Sequence, residues 1–165
     1  MADAIISQLE LWGLNPYLIV IILAMMPVGE LRASMIFATA AGLDWHIALP
    51  VSIIFNLIPI PFVILLLRPV LEWIKKMRWI GKYATAFHNK ILEKSKKVQK
   101  YEKYGLLAFV AIPLPGTGAW TGAAIAAILD MRLKRSMPTI SLGVVIAGLI
   151  MTIVCYGASA LISLI

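Results

Sequence analysis

Two of the four apolar stretches in this 165-residue chain are interrupted near their centres by proline and glycine. The first stretch is residues 16–43 and the second is residues 104–130. The interrupting residues are Pro27, Gly29, Pro113, Pro115 and Gly116. Proline removes a backbone donor and clashes with the preceding helical turn, while glycine lets the chain reverse. The helical arms on either side, roughly 10–20 Å long, are too short to cross about 30 Å of hydrocarbon, so each stretch predicts a helical hairpin.

The other two apolar stretches, residues 46–70 and 138–165, are long enough to span a bilayer, which takes about 20 residues. Across the chain 61% of residues are hydrophobic and only 14% are charged. A soluble domain of this length has too little interior to bury so much apolar surface. We therefore expect an all-α integral membrane protein, with residues 1–165 forming one membrane domain in the cell membrane.

The basic residues are placed in a way that favours a membrane over a nucleic acid as partner. Ten of the fifteen Lys and Arg residues lie in the connector 71–103, and three more lie in the loop 131–137. Basic segments mark the cytoplasmic side of membrane proteins, so we expect both segments there and expect the connector to bind anionic lipid head groups. A kinked spanning helix at 104–130 would put one of the two clusters outside. A re-entrant hairpin keeps both in the cytoplasm.

The two halves of the chain align without a gap at an offset of 86 residues. Pro27 then falls on Pro113, and Leu43-Asp44 falls on Leu129-Asp130. The first repeat is residues 16–70 and the second is residues 104–165, each a re-entrant hairpin followed by a transmembrane helix. With their opposite charge patterns, the halves predict an inverted repeat, a recurring plan among transporters. Residues 1–12 fit a short interfacial helix.

The stretch Phe109 to Gly122, which contains Pro-Leu-Pro-Gly-Thr-Gly-Ala-Trp-Thr-Gly, resembles the small multidrug export protein family, as does Pro27 to Arg32. That family is placed in the wider DedA/VTT (SNARE-associated Golgi protein) superfamily. The resemblance implies two opposed re-entrant hairpins. It also implies a transport function, because other branches include bacterial transporters of undecaprenyl phosphate and eukaryotic lipid scramblases. The DedA branch typically carries an arginine in its second hairpin, whereas here no ionisable residue lies between Lys103 and Asp130.

Glu30 and Arg32 are the sharpest functional candidates, because ionisable residues at membrane depth are costly and usually face a partner or a water-filled cavity. Two residues apart, they share no face of a regular helix, but irregular backbone at a hairpin tip would bring them together. In the functional interpretation Glu30 takes up a proton or senses the charge of a substrate, and Arg32 binds a phosphate or carboxylate through its fork of donors. The alternative is a structural ion pair that holds the hairpin.

The second hairpin and the apolar stretch 46–70 supply the remaining candidates. Backbone amides freed by the break at the second tip would bind an anion at the start of the following helix. The residues concerned are Thr117, Gly118, Trp120 and Thr121. The glycines there serve equally well for close helix packing, and the Trp120 ring either faces substrate or anchors at the interface. The buried amide of Asn56 needs a partner, which is either a neighbouring helix or a substrate path.

These features predict a transporter or flippase for an amphipathic anion, most plausibly a lipid phosphate such as a polyprenyl phosphate, with proton coupling as a hypothesis. The alternatives are a multidrug exporter of hydrophobic or cationic compounds, a non-transporting membrane organiser, and an enzyme acting on lipid phosphates. We expect no enzyme, because the sequence offers no catalytic group, metal site or cofactor site. It does not decide between a monomer and a homo-oligomer.

Overall fold

The structure, a computed structural model, describes residues 15–76, 102–114 and 116–162. All regular secondary structure in these ranges is helical. The predicted interfacial helix 1–12, residues 77–101 of the basic connector and Pro115 lie outside the described residues.

Seven helices make up the described chain. They are α1 (Pro16–Met25), α2 (Glu30–Ala40), α3 (Trp45–Leu57), α4 (Ile60–Lys76), α5 (Glu102–Ala111), α6 (Ala119–Ile128) and α7 (Leu133–Ile162). Helices α1 and α2 pack against each other, as do α5 and α6. Each of the two interrupted apolar stretches therefore forms a pair of short helices that pack against each other.

The first hairpin begins and turns where its sequence dictates. The side chain of Asn15 accepts a hydrogen bond of 2.9 Å from the backbone N–H of Tyr17, and Pro16 occupies the first helical position, where no donor is needed. Helix α1 ends at Met25, just before Pro27. With 10 residues, α1 is about 15 Å long, half of what a bilayer crossing requires.

The second hairpin is built in the same way. Helix α5 ends at Ala111, two residues before Pro113, and α6 starts at Ala119, directly after Gly118. The ends of α1 and α5, Met25 and Ala111, are 86 residues apart, which is the offset that aligns the two halves of the sequence.

The long apolar stretches depart from the predicted boundaries in two ways. The stretch predicted as one helix over 46–70 is interrupted at Ile58 and Pro59 between α3 and α4, because proline cannot donate to the preceding turn. Helix α7 starts at Leu133, earlier than the predicted residue 138, and includes Pro138. The segments Trp45–Leu67 and Leu133–Ala158 are both long and apolar enough to cross a membrane.

The two halves of the chain exchange contacts. The second helix of the first hairpin, α2, packs on α7 of the second half, while α6 of the second hairpin packs on α4 of the first half. Between them lies a core that includes Met35, Ile64 and Val110, each at most 1% exposed. The outward faces of the long helices are also apolar, with Phe62 and Ile153 more than 60% exposed. An outer surface of this kind suits lipid. The protein is therefore a helical membrane protein.

Candidate functional site

The tip of the first hairpin carries a buried carboxylate on strained backbone. Glu30, the first residue of α2, is 6% exposed and has a φ of 50°. Only a few per cent of residues other than glycine adopt this left-handed conformation, and such strain costs of order 1–3 kcal/mol. The equivalent position in the second half, Gly116, also has a positive φ, of 81°. The first tip thus uses a glutamate where the second uses glycine.

The carboxylate of Glu30 is bound by the first residues of α6, in the second hairpin. Its Oε2 accepts a hydrogen bond of 3.1 Å from the backbone N–H of Ala119, and its Oε1 accepts one of 3.0 Å from that of Trp120. These are the first two amides of α6, which have no partner within their own helix. The helix dipole also favours a negative charge at this end. Glu30 therefore occupies the anion-binding position that the sequence predicts at the second tip.

Arg32 also contacts the second hairpin, in the turn just before the amides that Glu30 binds. Its guanidinium donates to the backbone oxygens of Thr117 and Ile112, the latter at 3.2 Å, and to the Thr117 hydroxyl at 2.9 Å. The closest approach of Arg32 Nη1 to Glu30 Oε2 is 3.9 Å, at the outer limit for an ion pair. Glu30 and Arg32 thus lie close together, as predicted, but each makes its hydrogen bonds to the second hairpin and not to the other.

Thr117 is the central side chain of the second tip. Its hydroxyl accepts from Arg32 and lies 2.8 Å from the backbone oxygen of Ile112 and 2.9 Å from that of Leu114, to one of which it donates. The backbone N–H of Leu114 also points at this hydroxyl, at 3.3 Å. Thr117 therefore closes the turn after α5 and holds the surface that Arg32 contacts.

Gly118 makes the close approach of Glu30 possible. A Cβ built on Gly118 would lie 2.6 Å from the carboxyl carbon of Glu30, and the residue has a φ of 152°. Glycine is needed at this position for both reasons. Gly122 instead serves helix packing, because a Cβ there would lie 2.6 Å from Val110 Cγ2 on α5. The two interpretations of the glycines therefore apply to different residues.

The side chains of Trp120 and Thr121 make no hydrogen bond to the first hairpin among the described residues. Trp120 takes part through its backbone amide, while its half-buried ring packs against the core and its Nε1 atom has no hydrogen-bond partner among the described residues. The Thr121 hydroxyl donates to the backbone oxygen of Gly118 at 3.3 Å, within its own helical turn. Thr121 is thus part of α6's first turn and not of the cross-hairpin contacts.

Asn56 belongs to the same site, although it lies on α3. It is 1% exposed, and its amide oxygen has no hydrogen-bond partner in the described part of the chain. Together with Glu30, Arg32, Gly118 and Ala119 it lines a small internal cavity. The structure therefore places Asn56, the candidate from the apolar stretch 46–70, beside the hairpin tips.

The predicted hairpin breaks lie where the chain turns. Pro27 and Gly29 fall in the turn between α1 and α2, and a Cβ on Gly29 would come within 3.1 Å of the Leu23 backbone oxygen. Pro113 and Gly116 fall between α5 and α6. These residues shape the two tips and leave the polar contacts to their neighbours.

The sequence did not single out Ile112 or Ala119, which contribute only backbone atoms. A signal for Ile112 exists, because the last carbonyls of a helix that ends before proline lack partners within the helix. Ala119 could have been found as the first residue after the glycine-rich turn. Neither signal identifies the partner.

No group of three or more His, Cys, Asp or Glu side chains that could hold a metal ion occurs in the described ranges. The charged side chains of the site are one carboxylate and one guanidinium, and both bind backbone groups of the second hairpin.

A family model described as "Putative small multi-drug export protein" matches residues 30–150, a range that begins at Glu30 and includes Arg32, Asn56 and the second hairpin tip. The search of curated proteins gave no match. The search of solved structures gave none either.

Proposed function

The chain belongs to the small multi-drug export protein family, and on that premise we propose that it is a membrane transporter, not an enzyme, for an amphipathic anion. A lipid phosphate such as a polyprenyl phosphate is the substrate we expect. One observation carries the proposal, namely the binding of the Glu30 carboxylate by the backbone amides of Ala119 and Trp120. These amides form an anion site that is occupied by a side chain of the other hairpin.

Such a site can exchange its occupant. A phosphate that enters between the tips would take over the two amides and the Arg32 guanidinium, both of which bind phosphate oxygens well. Glu30 would then leave α6, and the phosphate would replace the contacts that Glu30 and Arg32 make with the second hairpin. When Glu30 returns, it expels the substrate and closes the tips again. Substrate binding and separation of the two hairpin tips would therefore occur together.

Proton coupling follows from the same chemistry as a hypothesis. A protonated Glu30 carries no charge and is a weaker acceptor for the two amides, so proton uptake would release α6 for the substrate. If Glu30→Gln leaves the pH dependence of transport unchanged, the coupling idea fails.

We further propose that both hairpins are re-entrant and that the halves form an inverted repeat, as in the DedA/VTT superfamily that the sequence resembles. Three features support this topology: the short helices of the hairpins, the left-handed residues Glu30 and Gly116 at equivalent positions, and the exchanged packing of α2 and α6. The segments 71–103 and 131–137 would then be cytoplasmic, with the connector against anionic head groups. The chain would cross the membrane more than once.

A flipping assay in proteoliposomes tests the substrate class. Leaflet exchange is measured for a labelled polyprenyl phosphate and for the matching uncharged polyprenol. Exchange of the phosphate well above that in empty liposomes, with no acceleration of the polyprenol, is the expected result. Equal acceleration of both would show that the anion site does not select the substrate. Binding of the phosphate without exchange would instead point to a membrane organiser, and its hydrolysis to an enzyme.

A second candidate function, export of hydrophobic or cationic compounds, is favoured by a groove on the surface of the protein. The groove has a volume of about 270 Å³, near the lower end for small-molecule pockets, and lies between α3 and α7. Its lining includes Trp45, Leu149 and Tyr156. Efflux of a fluorescent lipophilic cation from loaded proteoliposomes, reduced by Leu149→Trp, would support this function. Efflux equal to that of empty liposomes would reject it.

A further inference from the structure

The small cavity between Asn56 and the hairpin tips has room for one small group. Its open space of about 10 Å³ is about what a single water molecule needs. Three of its lining residues, Glu30, Arg32 and Asn56, have polar side chains, while Leu31, Val110 and Val144 are apolar. The cavity is therefore too small for a large ligand, and its lining is not wholly apolar.

Two residues that line this cavity each carry a buried polar atom without a hydrogen-bond partner in the described part of the protein. The amide oxygen of Asn56 is buried and needs a donor, and the buried Nε of Arg32 needs an acceptor. Leaving either unsatisfied costs about 1–3 kcal/mol. The carboxylate oxygens of Glu30 each accept one backbone hydrogen bond and have capacity for another.

We propose that this cavity is a binding site for one water molecule that joins Asn56, Arg32 and Glu30. The water donates one O–H to the Asn56 oxygen and the other to the Glu30 carboxylate, and it accepts the Nε–H of Arg32. Three hydrogen bonds are the usual number for a buried water. Because it satisfies both unpartnered atoms at once, the donor and acceptor pattern of the cavity matches this ligand.

Other small occupants fit this pattern less well. A cation would lie beside the Arg32 guanidinium, and an anion would face the Glu30 carboxylate and the Asn56 oxygen. An apolar group would leave Asn56 and Arg32 without partners. The charges and donors around the cavity thus select a neutral group that both donates and accepts.

Through the water, Asn56 becomes a positioning residue for the Arg32 guanidinium, which contacts the second hairpin. Asn56 lies on α3, part of an apolar segment long enough to span the membrane, whereas Glu30 and Arg32 lie at the tip of the first hairpin. Through the water, Asn56 fixes the Nε side of the guanidinium, while the two Nη atoms bind Thr117 and Ile112. This inference does not depend on the transported substrate.

An experimental density map of the wild-type protein at a resolution that shows ordered water is the direct test. The expected result is a rounded density feature within hydrogen-bond distance of Asn56 Oδ1, Arg32 Nε and a Glu30 carboxylate oxygen. A well-resolved cavity without such density overturns the proposal. So does a structure in which Asn56 and Arg32 Nε bind protein atoms directly.

Thermal unfolding of Asn56→Leu gives an independent test, because its sign differs between the two accounts. With the water present, leucine expels it and leaves Arg32 Nε and its neighbours unsatisfied, so the variant unfolds at a lower temperature. Without the water, leucine removes an unpartnered amide and the variant is as stable as wild type or more stable. Asn56→Ser, which keeps a polar group at the cavity, is expected to retain more stability than Asn56→Leu. The reverse order contradicts the proposal.

Discussion

The carboxylate of Glu30 accepts a hydrogen bond of 3.0 Å from the backbone N–H of Trp120, which lies 90 residues further along the chain. Arg32 makes the parallel contact to Thr117, 85 residues away. The two charged residues of the first hairpin thus bind two consecutive parts of the second hairpin, namely its turn and the start of α6. The contact between the hairpins is therefore polar and directional, whereas most of the surrounding core is apolar.

Glu30→Gln is expected to destabilise the protein by about 1–3 kcal/mol, because a glutamine amide presents an N–H₂ group to one of the two backbone donors. The loss is measured as a shift in thermal unfolding in detergent. Asp44→Asn is the matched control, since this exposed carboxylate makes no side-chain hydrogen bond at the start of α3. Equal stability of Glu30→Gln and wild type would show that the amides do not need the charge.

Gly118→Ala is expected to disrupt the same contact from the other side. The added methyl group would overlap the Glu30 carboxylate, so the variant loses stability, and Glu30→Ala in the same chain restores part of it. Gly157→Ala serves as control, because nothing lies within 4 Å of its added Cβ and alanine favours a helix. Unfolding temperatures of the single and double variants check this order. A double variant less stable than Gly118→Ala alone would contradict the predicted overlap.

Arg32→Lys tests whether the geometry of the guanidinium matters beyond its charge. A lysine ammonium cannot reproduce the planar set of donors to Thr117 and Ile112, so we expect a loss of about 1–3 kcal/mol in the free energy of unfolding. The control is Arg135→Lys, a change of the same kind at an exposed position. If both variants unfold like wild type, the contacts of Arg32 contribute charge alone.

Much of the local structure could be predicted from the sequence, because its causes are local. Proline and glycine determine where α1, α2, α5 and α6 end and begin, and the cost of charge at membrane depth singled out Glu30 and Arg32. The second hairpin carries no acidic or basic side chain between Lys103 and Asp130. Arg32 places its guanidinium against that hairpin from the first one.

The partners of these residues could not be predicted, because they depend on how distant helices pack. Nothing local indicates that the free amides of α6 are taken by Glu30, or that Asn56 shares a cavity with it. The interruption at Ile58 and Pro59 was missed for another reason. The apolar residues continue through it, and hydropathy alone does not distinguish a broken helix from a straight one.

The proposed topology can be tested by cysteine labelling in a Cys155→Ser background. Trp45→Cys and Arg132→Cys lie at the starts of the two long apolar segments. With two re-entrant hairpins, a membrane-impermeant reagent reaches position 45 only from outside and position 132 only from the cytoplasmic side. Labelling of position 132 from outside alone would indicate ordinary spanning helices in place of the hairpins.

The most direct test of the exchangeable anion site is leaflet exchange of a labelled polyprenyl phosphate by wild type, Glu30→Gln and Arg32→Ala in proteoliposomes. We predict fast exchange by wild type and Asp44→Asn, and at least about tenfold slower exchange by the two site variants. Glu30→Gln weakens the return of residue 30 to α6, which expels the substrate, and Arg32→Ala removes a charge-assisted hydrogen bond to the phosphate, worth about 1.5–3 kcal/mol. Equal amounts of folded protein are confirmed by gel filtration. Exchange by wild type no faster than in empty liposomes, or wild-type rates in both site variants, would contradict the account.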